Sequence, residues 1–137
     1  MRQKSDAAAG LSRECRAGEI DFRLARNAVL SEFRKGRLGR NDVCDAHPDL
    51  LRAARNVGDP TAETCPICEK ERGLVHVSYV FGTGLPASGH TVSSEAELVR
   101  MARRAQSLSC YVVEVCASCG WNHLCRTFPV AKTRPAR

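Results

Sequence analysis

The sequence predicts an α+β fold: an N-terminal helical hairpin packed on a zinc-ribbon-like antiparallel strand pair, with a helix inserted between the strands. Three observations predict it. Apolar residues recur at spacings of three or four through residues 21–57, the period of helices buried on one face. The period drops to two in GLVHVSYVF (73–81), and a second strand-forming run, CYVVEV (110–115), follows. Two C-x-x-C pairs, Cys65/Cys68 and Cys116/Cys119, stand just outside those two runs.

Each element has its own warrant. Residues 1–19 are small, polar and without period, the composition of a disordered segment. Phe22, Ala25, Val29 and Phe33 then mark a helix from about Asp21 to Lys35, and Gly36 supplies its stop. GRLGRND (36–42) reads as a turn, with a short helical turn around Val43–Ala46. Pro48 opens a second helix, because its missing N–H costs nothing at a first helical position. Leu50, Leu51, Ala54 and Val57 form its apolar face, Gly58 caps it, and Pro60 prevents continuation. Residues 20–60 therefore form a helical module whose apolar faces must pack on the rest of the chain.

Residues 61–128 form the zinc-ribbon-like unit. In its first strand Val75, Val77, Tyr79 and Phe81 share one face, and His76 and Ser78 the other. A loop carrying Gly82, Gly84, Pro86 and Gly89 leads to Ser94-x-x-Glu97, a capping box. Leu98, Met101, Ala102 and Ala105 make the apolar face of the helix that follows. CYVVEV then runs directly into Cys116. Residues 129–137 form a basic tail, read as disordered.

Charge narrows the function classes. Residues 1–58 carry 12 basic and 8 acidic side chains, residues 59–125 carry 5 and 7, and residues 126–137 carry four basic and none acidic. Basic ends around a near-neutral middle, with Arg100, Arg103 and Arg104 on the inserted helix, suit a protein or nucleoprotein partner and weak nucleic-acid contact. Few aromatic side chains are on hand for base stacking. MRQKSDAAAGLSREC contains no apolar core of a secretory signal, and no 18-residue apolar run suits a membrane span. The expected compartment is the cytoplasm, where thiols stay reduced and clustered cysteines suggest a metal before disulfides.

Eight cysteines in 137 residues need an explanation. A two-residue spacer lets both sulfurs of a pair converge on one ion while the turning backbone aims N–H groups at them. Two such turns, Cys65/Cys68 and Cys116/Cys119, make a tetrahedral four-cysteine site for structural Zn²⁺, with Zn–S near ~2.3 Å. The 47 residues between Cys68 and Cys116 exceed the roughly 15–20 of compact ribbons. A strand–helix–strand plan spans that interval, leaving one cysteine turn and returning to the other.

Two other arrangements compete. Cys44-x-x-His47 stands only 17 residues before Cys65, so Cys44, His47, Cys65 and Cys68 could hold one ion. Cys116, Cys119, His123 and Cys125 would then form a second cluster. In the other, one C-x-x-C pair cycles electrons in a thiol-dependent redox enzyme, but neither opens a helix after a strand as that chemistry requires. Catalytic templates are absent: no H-E-x-x-H, phosphate loop, nucleophile elbow or zinc-deaminase pattern occurs. With every coordination position filled by sulfur, the metal would be structural and the protein not an enzyme. Trp121 is expected to cover the metal core. Trp121, His123 and Arg126 also join the three helix arginines as candidate binding surface, while Cys15, Cys110 and Cys125 read as ordinary thiols.

The combination of DVCDAHPDLLRAARNVG (42–58), CPIC (65–68), LVHVSYVFG (74–82) and YVVEVCASCGWNHL (111–124) resembles a family of small actinobacterial proteins of unknown function. The resemblance covers nearly the whole chain after residue 20. It implies a bacterial cytosolic protein and brings no activity, substrate or partner.

Overall fold

The computed structural model describes residues 10–105 and 107–130. Its centre is an antiparallel sheet of six strands: β1 (Ile20–Asp21), β2 (Asp59–Pro60), β3 (Leu74–Gly82), β4 (His90–Val92), β5 (Leu108–Cys116) and β6 (Asn122–Pro129). The order is β1-β6-β5-β3-β2, and β4 also pairs with β3. Four helices accompany it among the described residues: α1 (Arg23–Arg34), α2 (Arg40–Val43), α3 (Pro48–Val57) and α4 (Glu95–Arg104). None is long and apolar enough to cross a membrane.

The long strands β3 and β5 pair along their whole length, from Leu74 opposite Cys116 to Gly82 opposite Leu108. That register decides the site. It sets the start of β3, just after the first cysteine pair, beside the end of β5, at the second. The inserted segment, β4 and α4, stays at the far end of the sheet. The Ser94 hydroxyl accepts from the Glu97 N–H at 3.1 Å, while the Glu97 carboxylate turns back to the Ser93 N–H at 3.0 Å rather than to that of Ser94.

Both faces of the β3–β5 pair carry buried apolar side chains, so both need cover. On one face Val77 and Val115 are fully buried beneath Ala54, Leu50 and Leu51 of α3. On the other, Leu74 and Cys116 pack with Trp121 and with Val29, Leu30 and Phe33 of α1. The helices α1 and α3 thus lie on opposite faces, where the sequence suggested a hairpin packed as one unit. The inward stripe of α1 is also turned by one residue. Ala25 is exposed, and half-buried Arg26 faces the sheet because its guanidinium pairs with buried Glu114 at 2.7 Å.

Several other expectations shift. The short helical turn lies at Arg40–Val43, ahead of Val43–Ala46. Gly58 is extended (φ −68°, ψ 147°) and leads into β2 instead of making a left-handed cap. Residues 122–129, for which no strand was expected, form β6. Of the two segments expected to be disordered, residues 1–9 and 131–137 lie outside the described residues. Residues 10–19 form a strap across the far end: the Gly10 N–H bonds Ser93 O at 2.9 Å, and Arg16 pairs with Glu95 at 2.6 Å over the Phe128 ring. Paired charges hold this strap, so it carries no apolar period to announce it.

Candidate metal centre

Two matching turns build the site. In the first, the Cys65 N–H bonds Lys70 O at 3.1 Å and the Glu69 N–H bonds Cys65 O at 3.0 Å. In the second, the Cys116 N–H bonds Trp121 O at 2.9 Å and the Gly120 N–H bonds Cys116 O at 2.8 Å. The offsets are identical. In both, the residue after the second cysteine has a left-handed backbone, φ 64° at Glu69 and φ 93° at Gly120. Amides also aim at sulfur: Ile67 N–H to Cys65 Sγ and Trp121 N–H to Cys119 Sγ, each at 3.4 Å. Such donors stabilise thiolates.

The four sulfurs lie within 4.8 Å of one another, with Cys65–Cys119 and Cys68–Cys116 both at 3.7 Å. Ligands ~2.3 Å from a tetrahedral ion stand about 3.8 Å apart, the spacing of both these pairs, so the four could hold a metal ion. Cys65 and Cys116 are fully buried, and Cys68 and Cys119 half-buried. Burial pushes the Cys65 and Cys119 thiols up. Burial acts the same way on Cys68, but the Lys70 N–H and neighbouring thiols outweigh it and hold Cys68 below the usual thiol range. Four neutral thiols can pack here, whereas four thiolates need a cation among them. A metal ion bound there would expel protons, and its affinity would fall in acid.

A fifth thiol adjoins the cluster. Cys44 Sγ donates to Cys119 Sγ at 3.5 Å, and the Ala46 N–H bonds Gly120 O at 3.1 Å, so the α2–α3 connection wraps the second turn. The alternative set built on His47 is not assembled. His47 is exposed, and its Nδ1 accepts from the Asp49 N–H at 3.0 Å as a helix cap. The second alternative cluster is likewise dispersed. His123 stacks on Trp121 with its Nδ1 2.7 Å from Leu124 O, and Cys125 lies in β6 beside His76 and Glu114.

Of the candidate surface residues, Arg100, Arg103 and Arg104 are exposed on α4. Trp121 is not surface: it is 1% exposed, packs against the cysteine cluster, and donates its Nε1–H to Glu114 at 2.6 Å. Arg126 is turned inward too, bonding Glu19 at 3.1 Å and Ser12 O at 2.7 Å. Both belong to β6 or its approach, whose partners the sequence did not reveal.

Residues 13–137 match a family described as a family of unknown function (DUF5318). The chain belongs to this family. It is 44% identical over 118 residues to the uncharacterized proteins Rv0049 of Mycobacterium tuberculosis and Mb0050 of Mycobacterium bovis, covering 86% of this chain and 85% of each relative. No solved structure matches the chain.

The sequence reading overlooked Glu114, which is 3% exposed near the C-terminal end of β5 and accepts from both Arg26 and Trp121. A lone acid inside the apolar run CYVVEV was the available signal, since a buried carboxylate requires partners.

Proposed function

We propose that this member of the family is a non-enzymatic, zinc-stabilised interaction module in which Cys65, Cys68, Cys116 and Cys119 hold one structural Zn²⁺. The observation that carries the reading is the pair of matching cysteine turns, which bring four sulfurs within 4.8 Å of one another and aim an amide at Cys65 and at Cys119. Sulfur would fill every position on the ion, leaving none for water or substrate, and zinc is a usual ion for such closed sites. The zinc takes the place of a larger apolar core at that end of the sheet.

The partner is a protein or a nucleoprotein complex, met through the exposed Arg100, Arg103 and Arg104. Net charge of +6 supports electrostatic attraction to such a surface. Metal analysis tests the first half. Reduced protein should carry about one zinc per chain that resists mild chelators, and alkylating reagents should reach the four thiols only after strong chelation. Metal-free protein whose Cys116 and Cys119 cycle with a reductant would establish the rival, a thiol redox enzyme. Salt-sensitive retention on single- or double-stranded nucleic acid tests the second half. Failure to bind at low salt would leave a protein as the partner.

A further inference from the structure

We propose a second metal-binding site, formed by His76 Nε2, Glu114 Oε1 and Cys125 Sγ, that takes a divalent transition-metal ion and leaves one coordination position open to a cavity. It uses none of the four clustered cysteines and stands independently of the zinc reading. His76 and Glu114 face each other across the β3–β5 ladder. Cys125 joins them through a bulge: on β6 three steps, from His123 to Arg126, match two on β5, from Glu114 to Val112. The extra residue aims the Cys125 sulfur at the same two side chains. Bulges that re-aim a side chain recur beside functional sites.

The sulfur lies 3.7 Å from Glu114 Oε1 and 3.9 Å from His76 Nε2, and all three donors fall within 4.8 Å of one another. Sulfur, nitrogen and oxygen donors at usual bond lengths from a tetrahedral ion stand about 3.4–3.6 Å apart. The two distances from sulfur exceed that range by only a few tenths of an ångström. The remaining oxygen of Glu114 is already fixed by Arg26 at 2.7 Å and Trp121 at 2.6 Å, the outer hydrogen bonding that orients a ligating carboxylate.

Charge points the same way. Cys125, pushed up to about 12 by burial and by Glu114, is a neutral thiol beside a carboxylate. A divalent cation reverses this: the S–H bond breaks, the proton leaves to solvent, and an S–metal bond forms. The thiolate supplies a negative charge that no cation yet pairs, while the Glu114 charge is shared between the ion and Arg26 at 2.7 Å. Of the other neighbouring cations, Arg126 is on Glu19 at 3.1 Å and Arg13 on Asp59 at 3.6 Å. The three donors line a cavity of about 300 Å³ together with Phe22, Arg26 and Glu63. A ligand with an oxygen, nitrogen or sulfur donor can reach the fourth position from there. A soft thiolate and a borderline imidazole beside one hard carboxylate suit Zn²⁺ or Co²⁺ rather than Mg²⁺ or Ca²⁺.

The test adds Co²⁺ to the full-length protein carrying its native zinc, and compares Cys125→Ser and His76→Gln. The wild-type chain should take up one Co²⁺ with a thiolate-to-cobalt charge-transfer band and visible bands of low symmetry. Cys125→Ser should abolish the charge-transfer band. His76→Gln should keep that band but weaken binding by about tenfold or more. Far-ultraviolet circular dichroism, measured alongside, reports whether each variant has kept its fold, and a zinc content of about one per chain shows that the four clustered cysteines are occupied before cobalt is added. Absence of the band in the wild type overturns the proposal. So does a band that survives Cys125→Ser unchanged, because the cobalt would then sit among the other cysteines.

Discussion

The two ends of the sheet are held together by different chemistry. At the far end, Val80, Val92, Leu98, Ala102, Leu108, Cys110, Val112 and Phe128 form a hydrophobic core between α4 and the sheet. At the near end, the buried set is Leu30, Val43, Ile67, Leu74 and Trp121 around Cys65 and Cys116, with Cys44, Cys68 and Cys119 at its edge. Sulfur there occupies space that aliphatic carbon fills at the other end. The far end can rest on burial alone, each large side chain contributing about 1.5–3 kcal/mol. The near end instead gathers four thiols that could hold an ion. Between them stands Glu114, a buried carboxylate tied to α1 through Arg26 and to the cysteine end through Trp121.

The largest expected effect comes from breaking the near end. Cys116→Ser should release the tightly held metal and cost several kcal/mol of stability, since binding energy at a structural zinc is folding energy. Metal content and urea unfolding check it. Leu98→Ala, at a site 1% exposed, breaks the far end instead. It should cost about 2–5 kcal/mol, with metal content unchanged. Loss of metal in that variant would show that the two ends are not separable.

Smaller substitutions sharpen the contrast within the near end. Gly120→Ala places a Cβ on a backbone at φ 93° and 3.0 Å from Cys44 O, so it should cost about 1–3 kcal/mol. Glu69→Gly relieves the equivalent strain in the first turn and should gain up to about 1 kcal/mol. Paired thermal melts of the metal-loaded proteins should move in opposite directions. A Gly120→Ala variant as stable as the parent would contradict the matching-turn geometry.

The smallest effect concerns the strap at the far end. The Arg16 hydrogen bond holds the Glu95 carboxyl below its usual value of 4.5. The folded pKa is depressed, so the stabilisation is complete above about pH 4.5 and fades as pH falls through the folded value. For this partly exposed pair it is at most about 1 kcal/mol. Glu95→Gln should therefore be slightly less stable than the parent near neutrality, and the gap should close in acid. Urea titrations across that range measure it.

What could be read from the sequence follows the same division. The helices at Arg23–Arg34, Pro48–Val57 and Glu95–Arg104 and the strands β3 and β5 announce themselves because period and capping residues are local properties. The juxtaposition of Cys65/Cys68 with Cys116/Cys119 was legible because a strand leaving one turn and a strand returning to the other must meet. β6 was hidden: half-buried and irregular at its bulge, it carries no clean alternation in NHLCRTFP. With it were hidden the bond from Trp121 to Glu114, the inward turn of Arg126 and the meeting of Cys125 with His76 and Glu114. Those contacts depend on which strand pairs with β5, and no local pattern encodes that choice. Arg26 likewise reads as solvated charge until Glu114 is placed opposite it.

Amide hydrogen exchange with and without a strong chelator tests most directly whether metal holds one end and carbon the other. Removing the metal should abolish protection at Ile67, Lys70, Cys116, Gly120 and Trp121, while Leu98, Ala102 and the β5 amides near Cys110 stay protected. Unchanged protection in the cysteine turns would contradict the account, as would equal loss of protection at both ends.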